Sequence, residues 1–120
     1  MQIQFKGTNY ELTDAAVEKA TKKLQNIAKY IGKTASEPKA YVDLGKFTEA
    51  HVNGRIYYAD VNLEVEGKRF YARAEAETLK NAFDKMAGEL AKELRTANKK
   101  HQSLMRRGGM RVKEFFQFGI

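Results

Sequence analysis

Between Arg55 and Glu66 the chain alternates with a period of two. Ala59, Val61, Leu63 and Val65 fall on one side, and Tyr58, Asp60, Asn62, Glu64 and Glu66 on the other. A strand reads this way when one face enters a core and the other stays in water. Two neighbouring segments repeat the pattern. Residues 39–47 place Ala40, Val42 and Leu44 on one side, and residues 68–76 set Phe70, Ala72, Ala74 and Ala76 against Tyr71, Arg73 and Glu75. Asn53-Gly54 is a two-residue hairpin signal and Gly67 marks a second tight turn, so these strands are expected to pair antiparallel. Residues 2–6, with Ile3 and Phe5 on one face, predict a further short strand. Every strand has a single apolar face, so the sheet must be covered on one side only.

Two segments change period from two to 3.6. Thr13 is a suitable N-cap, Asp14 follows it at the positive end of a helix, and Leu12 and Val17 stand at the two positions of a hydrophobic staple. From about Asp14 to Ile31, Val17, Ala20, Leu24, Ile27, Ala28 and Ile31 form an apolar stripe. Glu37-Pro38 ends the connection that follows. Thr78 is the expected cap of a second helix whose stripe is Leu79, Ala82, Phe83, Met86, Ala87, Leu90, Leu94 and Ala97. Gly88 lies inside it, at a cost of about 1 kcal/mol relative to alanine. The pattern stops after about Gln102. The order is β-α-β-β-β-α, an α+β fold: a four-stranded mixed sheet with two helices on one face, similar to a double-stranded RNA-binding domain. The first two strands enclose a right-handed crossover and run parallel.

At 120 residues with 42% hydrophobic residues, one small domain is expected. The absence of cysteine excludes disulfides and thiolate metal sites. No apolar run is long enough to cross a membrane, and the alternating N-terminus lacks the layout of a signal peptide. A cytoplasmic location fits. His51 and His101 share no evident partner, and there is no metal-ligand pair at helical spacing, no glycine-rich phosphate loop and no nucleophile elbow. The expectation is a chain that is not an enzyme and takes no cofactor or small-molecule substrate.

Charge points to a partner. Residues 1–94 carry 15 Lys/Arg and 14 Asp/Glu, whereas residues 95–120 carry seven Lys/Arg against Glu114 alone. Residues 1–102 are thus expected as the domain and 103–120 as a basic, aromatic tail. At about 100° per residue, Lys19, Lys22, Lys23, Lys29 and Lys33 group opposite the apolar stripe of the first helix. Lys85, Lys92, Arg95 and Lys99 do the same on the second. Any amphipathic helix turns its lysines outward, but no acid falls within the first arc, which favours phosphate binding. The open sheet face is expected to carry Asp43, Asp60, Glu64, Glu66 and Glu75 beside Tyr41, Tyr58 and Tyr71. Acids next to the tyrosines argue against base stacking there, and cross-strand packing is the commoner role for such tyrosines.

Several stretches resemble the hibernation-promoting factor and ribosome-associated inhibitor family. They are Met1-Gln2-Ile3, Gly7-Thr8-Asn9-Tyr10-Glu11-Leu12-Thr13, the lysine-bearing helix with Lys23-Leu24 and Lys29-Tyr30, and Tyr71-Ala72-Arg73-Ala74-Glu75-Ala76. Leu79, Ala82-Phe83-Asp84, Leu90, Leu94, Lys99 and Lys100 continue the match. The resemblance implies the same fold, and binding to the small ribosomal subunit near the decoding region. The partner would be the subunit's ribosomal RNA. There the protein would block messenger RNA and tRNA in idle cells by occupying their channel. It implies ribosomal RNA contacts for Lys19, Lys22, Lys23, Lys29, Lys85, Lys92, Arg95 and Lys99, and Lys33 and Lys100 are further candidates for the same contacts. Gly88-Glu89-Leu90 departs from the charged segment common at that place. Long members carry a separate dimerisation domain that this chain is too short to hold, so a monomer is expected off the ribosome. In the tail, Arg106, Arg107 and Arg111 are candidates for phosphates, and Phe115, Phe116 and Phe118 either stack on bases or fold back on the domain. A stand-alone RNA-binding or ribosome-assembly protein using the same helix faces is the alternative, and a protein-interaction module using the open sheet face is a second.

Overall fold

A computed structural model describes residues 1–48 and 56–106, with side chains as far as Lys99. Strand β1 is Gln2–Thr8, helix α1 is Asp14–Ile27, and a 3₁₀ turn follows over Ala28–Tyr30. Strands β2 (Lys39–Lys46), β3 (Tyr57–Val65) and β4 (Lys68–Ala76) precede helix α2, Leu79–Arg106. The sheet order is β1-β2-β3-β4, with β1 parallel to β2 and the other pairs antiparallel. This is the expected α+β arrangement.

Both threonine caps form. Thr13 Oγ1 accepts from the Ala16 amide at 3.1 Å and Thr78 Oγ1 from the Asn81 amide at 3.1 Å, each satisfying an amide with no partner in its own helix. Between β3 and β4, Glu66 (φ 49°) and Gly67 (φ 78°) form a turn with both central residues left-handed, the twist that suits a two-residue hairpin. Asn53-Gly54 lies outside the described residues.

The core is a single cluster between the helices and one face of the sheet. Leu24, Val42, Leu44, Val61, Leu63, Val65, Met86, Leu90 and Leu94 are fully buried in it, and α2 lies over β3 and β4. Truncating one of these leucines to alanine should cost about 2–5 kcal/mol.

The elements differ from expectation at their ends. The first strand runs on to Thr8, whose Oγ1 donates to Asp43 Oδ1 at 2.9 Å. The first helix does not stay α-helical to Ile31. It tightens at Ala28, where the Ile31 amide bonds the Ala28 carbonyl at 3.0 Å, and it leaves through Gly32 at φ 79°. The second helix persists to Arg106, because Ser103-Leu104-Met105-Arg106 contains neither glycine nor proline.

Candidate nucleic-acid interface

The helix layer is basic because its acids are few. Residues 14–33 and 79–99 together hold ten Lys/Arg and five Asp/Glu, a net of +5. Lys19, Lys22, Lys29, Lys33, Lys85, Lys92, Arg95 and Lys99 are all exposed. Of these, Lys22 meets a carboxylate, Glu18, one turn away at 3.3 Å. Exposed pairs of this kind contribute about 0.3–0.5 kcal/mol and leave the cation accessible.

Lys23 behaves differently from its neighbours. Its Nζ reaches across to Asp84 Oδ1 of α2 at 3.1 Å, while Lys80 Nζ holds the other oxygen at 3.0 Å. It therefore stands on the flank of α1 facing α2, and not squarely opposite the apolar stripe. Lys80 first, and then Lys23, hold the Asp84 carboxyl below the usual carboxylate range against a smaller opposing effect of burial. This bridge spans a groove between the helices and borders a hollow on either side. One, of about 400 Å³, is lined by Tyr10, Ala16, Lys19, Leu44 and Phe83. The other, of about 230 Å³, is lined by Lys29, Tyr30, Ala87, Gly88 and Ala91.

Tyr30 is a site residue that periodicity alone did not single out. The Arg95 guanidinium carbon lies 5.3 Å from its ring centroid and Lys29 Nζ 5.2 Å from it, within cation–π range. Arg95, and then Lys29, pull the phenol below its ordinary pKa. The 3₁₀ turn packs against α2, and this brings Tyr30 beside Arg95. The sequence signal available was the pair Lys29-Tyr30 followed by Gly32.

The open sheet face is not the acidic surface expected. The alternation that puts Asp60 and Glu64 there also puts Arg73 and Arg69 there, and the register sets Asp60 opposite Arg73 and Glu64 opposite Arg69. Arg73 meets Asp60 at 3.1 Å and Glu75 at 3.7 Å, and Arg69 meets Glu64 at 3.3 Å. Lys6 and Lys39 complete a face with four cations and four carboxylates. Glu66 is drawn off to the connection before β2, where it accepts from the Ala35 and Ser36 amides. Tyr58 is buried, with its hydroxyl donating to Asp43 at 3.1 Å and Arg73 lying 4.5 Å over its ring. Cross-strand packing is therefore its role. Burial, and then repulsion from Asp43, push the Asp60 carboxyl up, against the opposing pull of Arg73. Tyr41 and Tyr71 remain exposed.

Among the described residues no group of His, Asp and Glu could hold a metal ion, and no helix is long and apolar enough to cross a membrane. His51, Arg107, Arg111, Phe115, Phe116 and Phe118 lie outside the described residues, as do the side chains of Lys100, His101 and Arg106.

The fold is similar to that of the Protein Y N-terminal domain from Thermus thermophilus. The TM-score is 0.64 at 24% identity, over 80% of this chain and 98% of that one. It is also similar to a ribosomal subunit interface protein from Coxiella burnetii, with a TM-score of 0.58 at 22% identity, over 86% and 99%. These likenesses concern the fold. No curated protein matches the chain. The family described as sigma 54 modulation protein / S30EA ribosomal protein matches residues 3–102. That span covers most of the chain, all of α1 and all but the last turn of α2, and the chain belongs to the sigma 54 modulation protein / S30EA ribosomal protein family.

Proposed function

We propose that this protein binds the small ribosomal subunit through its helix layer, near the decoding region, and silences idle ribosomes by occupying the path of messenger RNA and tRNA. The observation that carries this is the excess of exposed cations on α1 and α2, set against a sheet face whose charges cancel. Lysine and arginine on a convex helical surface suit phosphates, which supply affinity and little sequence information. Membership of a family named for a ribosomal protein supports ribosomal RNA as the source of those phosphates. The action is steric, so a nucleophile, metal or cofactor has no part in it. Arg106, Arg107 and Arg111 extend the phosphate contacts, with Phe115, Phe116 and Phe118 stacking on bases or anchoring the tail. The setting is the cytoplasm.

Co-sedimentation with ribosomes, separated subunits and naked ribosomal RNA at low and high salt tests this. Binding to small subunits and whole ribosomes is expected, falling about 10³-fold or more between 50 and 200 mM salt if six or more phosphates are contacted. Binding to naked RNA alone would transfer the same helix faces to an assembly role. Salt-insensitive binding would move the interface to the sheet face.

A further inference from the structure

Gly88 has no packing reason to be glycine. It lies in the interior of α2, is exposed, and a Cβ built on it would meet no atom within 4 Å. Alanine at an exposed helix interior is ordinarily the more stable choice. The penalty falls on the floor of the smaller hollow, between Ala87 and Ala91. Lys23 and Lys29 are the cations that line the hollow, Lys29 from the 3₁₀ turn. Outside the lining, Arg95 stands against the ring of Tyr30, and Lys85 and Lys92 lie one turn to either side of Gly88 on the helix surface. Tyr30 braces both Arg95 and Lys29, so the two cations have less freedom to lose when an anion arrives. Asp84, the one carboxylate lining the hollow, is already held by Lys23 and Lys80; Glu89, outside the lining, stands one turn from both Lys85 and Lys92.

We infer that the hollow between the 3₁₀ turn and α2 receives a sugar–phosphate segment of RNA, with Lys29 and Arg95 each on one of its phosphates and the missing side chain of Gly88 admitting the ribose against the helix backbone. The inference rests on the ribosome-binding function proposed above and locates the closest approach within it. The basic rim selects a polyanion, and the bare floor selects a strand that must come within van der Waals distance of a helix.

Three variants of the full chain test it by co-sedimentation with small ribosomal subunits and by thermal unfolding. Gly88→Ala should raise the melting temperature by ~4–6 °C while weakening subunit binding about tenfold, a combination that loss of structure cannot produce. Lys29→Gln and Arg95→Gln should each lower the log–log salt slope of binding by about 0.7–0.9, one phosphate contact. A stabilised Gly88→Ala that binds like wild type overturns the inference. So does a weakened Gly88→Ala with both salt slopes unchanged, which would put a ribosomal protein in the hollow. If wild type binds, and reversal of Lys19 and Lys22 to glutamate weakens it while these three variants do not, the hollow is wrong and the ribosome-binding function stands. Failure of wild type to bind small subunits removes both.

Discussion

The two faces of this domain carry similar side chains to opposite ends. On the sheet face, Arg69 and Arg73 stand directly across from Glu64 and Asp60, and the surface is neutral. On the helix face, Lys29, Lys33, Lys85, Lys92, Arg95 and Lys99 form no ion pair with a carboxylate among the described residues, and the layer is left at +5. A sheet brings residues distant in sequence into register about 5 Å apart, so arginine and aspartate on adjacent strands cancel. A helix faces each side chain only with those three and four positions away. Around Arg95 such neighbours are Ala91, Lys92, Asn98 and Lys99, so its charge stays available. Exposed charge on a fold therefore marks a binding face only after cross-strand pairing has been counted.

The largest test of that contrast is charge reversal. Lys19, Lys22 and Lys29 changed together to glutamate should lower small-subunit affinity at least ~100-fold at moderate salt, whereas Arg69→Glu with Glu64→Arg on the sheet face should leave it within about twofold. Comparable losses from both would place the interface elsewhere.

The glycines come next, because the two faces use them in opposite ways. A Cβ at Gly45 would overlap the Tyr58 ring. Gly45→Ala should therefore destabilise the protein by about 2 kcal/mol and free the Tyr58 hydroxyl from Asp43. Gly88→Ala should stabilise it by about 1 kcal/mol. Denaturant unfolding of the two variants checks the opposite signs.

The smallest effect is pH dependence, again opposed between the faces. The Asp84 carboxyl is held low by Lys80 and Lys23. Its contribution is therefore present above the usual carboxylate range and is lost as pH falls through its lowered pKa. More than a third of that side chain is exposed, so solvent screening keeps the contribution to about 0.5 kcal/mol. Asp60 is raised, chiefly by burial. Its ionised form is disfavoured in the folded state, so stability falls as pH rises from the usual carboxylate range through its raised pKa. Across the acidic range, the advantage of wild type over Asp84→Asn should grow with pH, and its advantage over Asp60→Asn should shrink.

Much of this was legible in one dimension. The alternation of Ala59, Val61, Leu63 and Val65 and the stripe from Ala20 to Ile31 set strand and helix faces. Thr13 and Thr78 set helix starts, and the element order followed from the spacing of these segments. Burial drives each of these locally, because a period of two or 3.6 admits one amphipathic solution. The lysines expected to lie outside are outside for the same reason. The neutrality of the sheet face was not legible, since it needed the register that pairs Asp60 with Arg73 and Glu64 with Arg69. Nor was the bridge from Lys23 to Asp84, which joins residues 61 positions apart.

By itself, then, the sequence determined which residues are buried, the order of the elements and the basic character of both helices, because each follows from contacts within a few residues. Tertiary structure alone decided which charges remain free and where cations converge. Arg95 meets Tyr30 only because a 3₁₀ turn at the end of one helix faces the middle of another, and pairing across strands and helices depends on distances that no local period records.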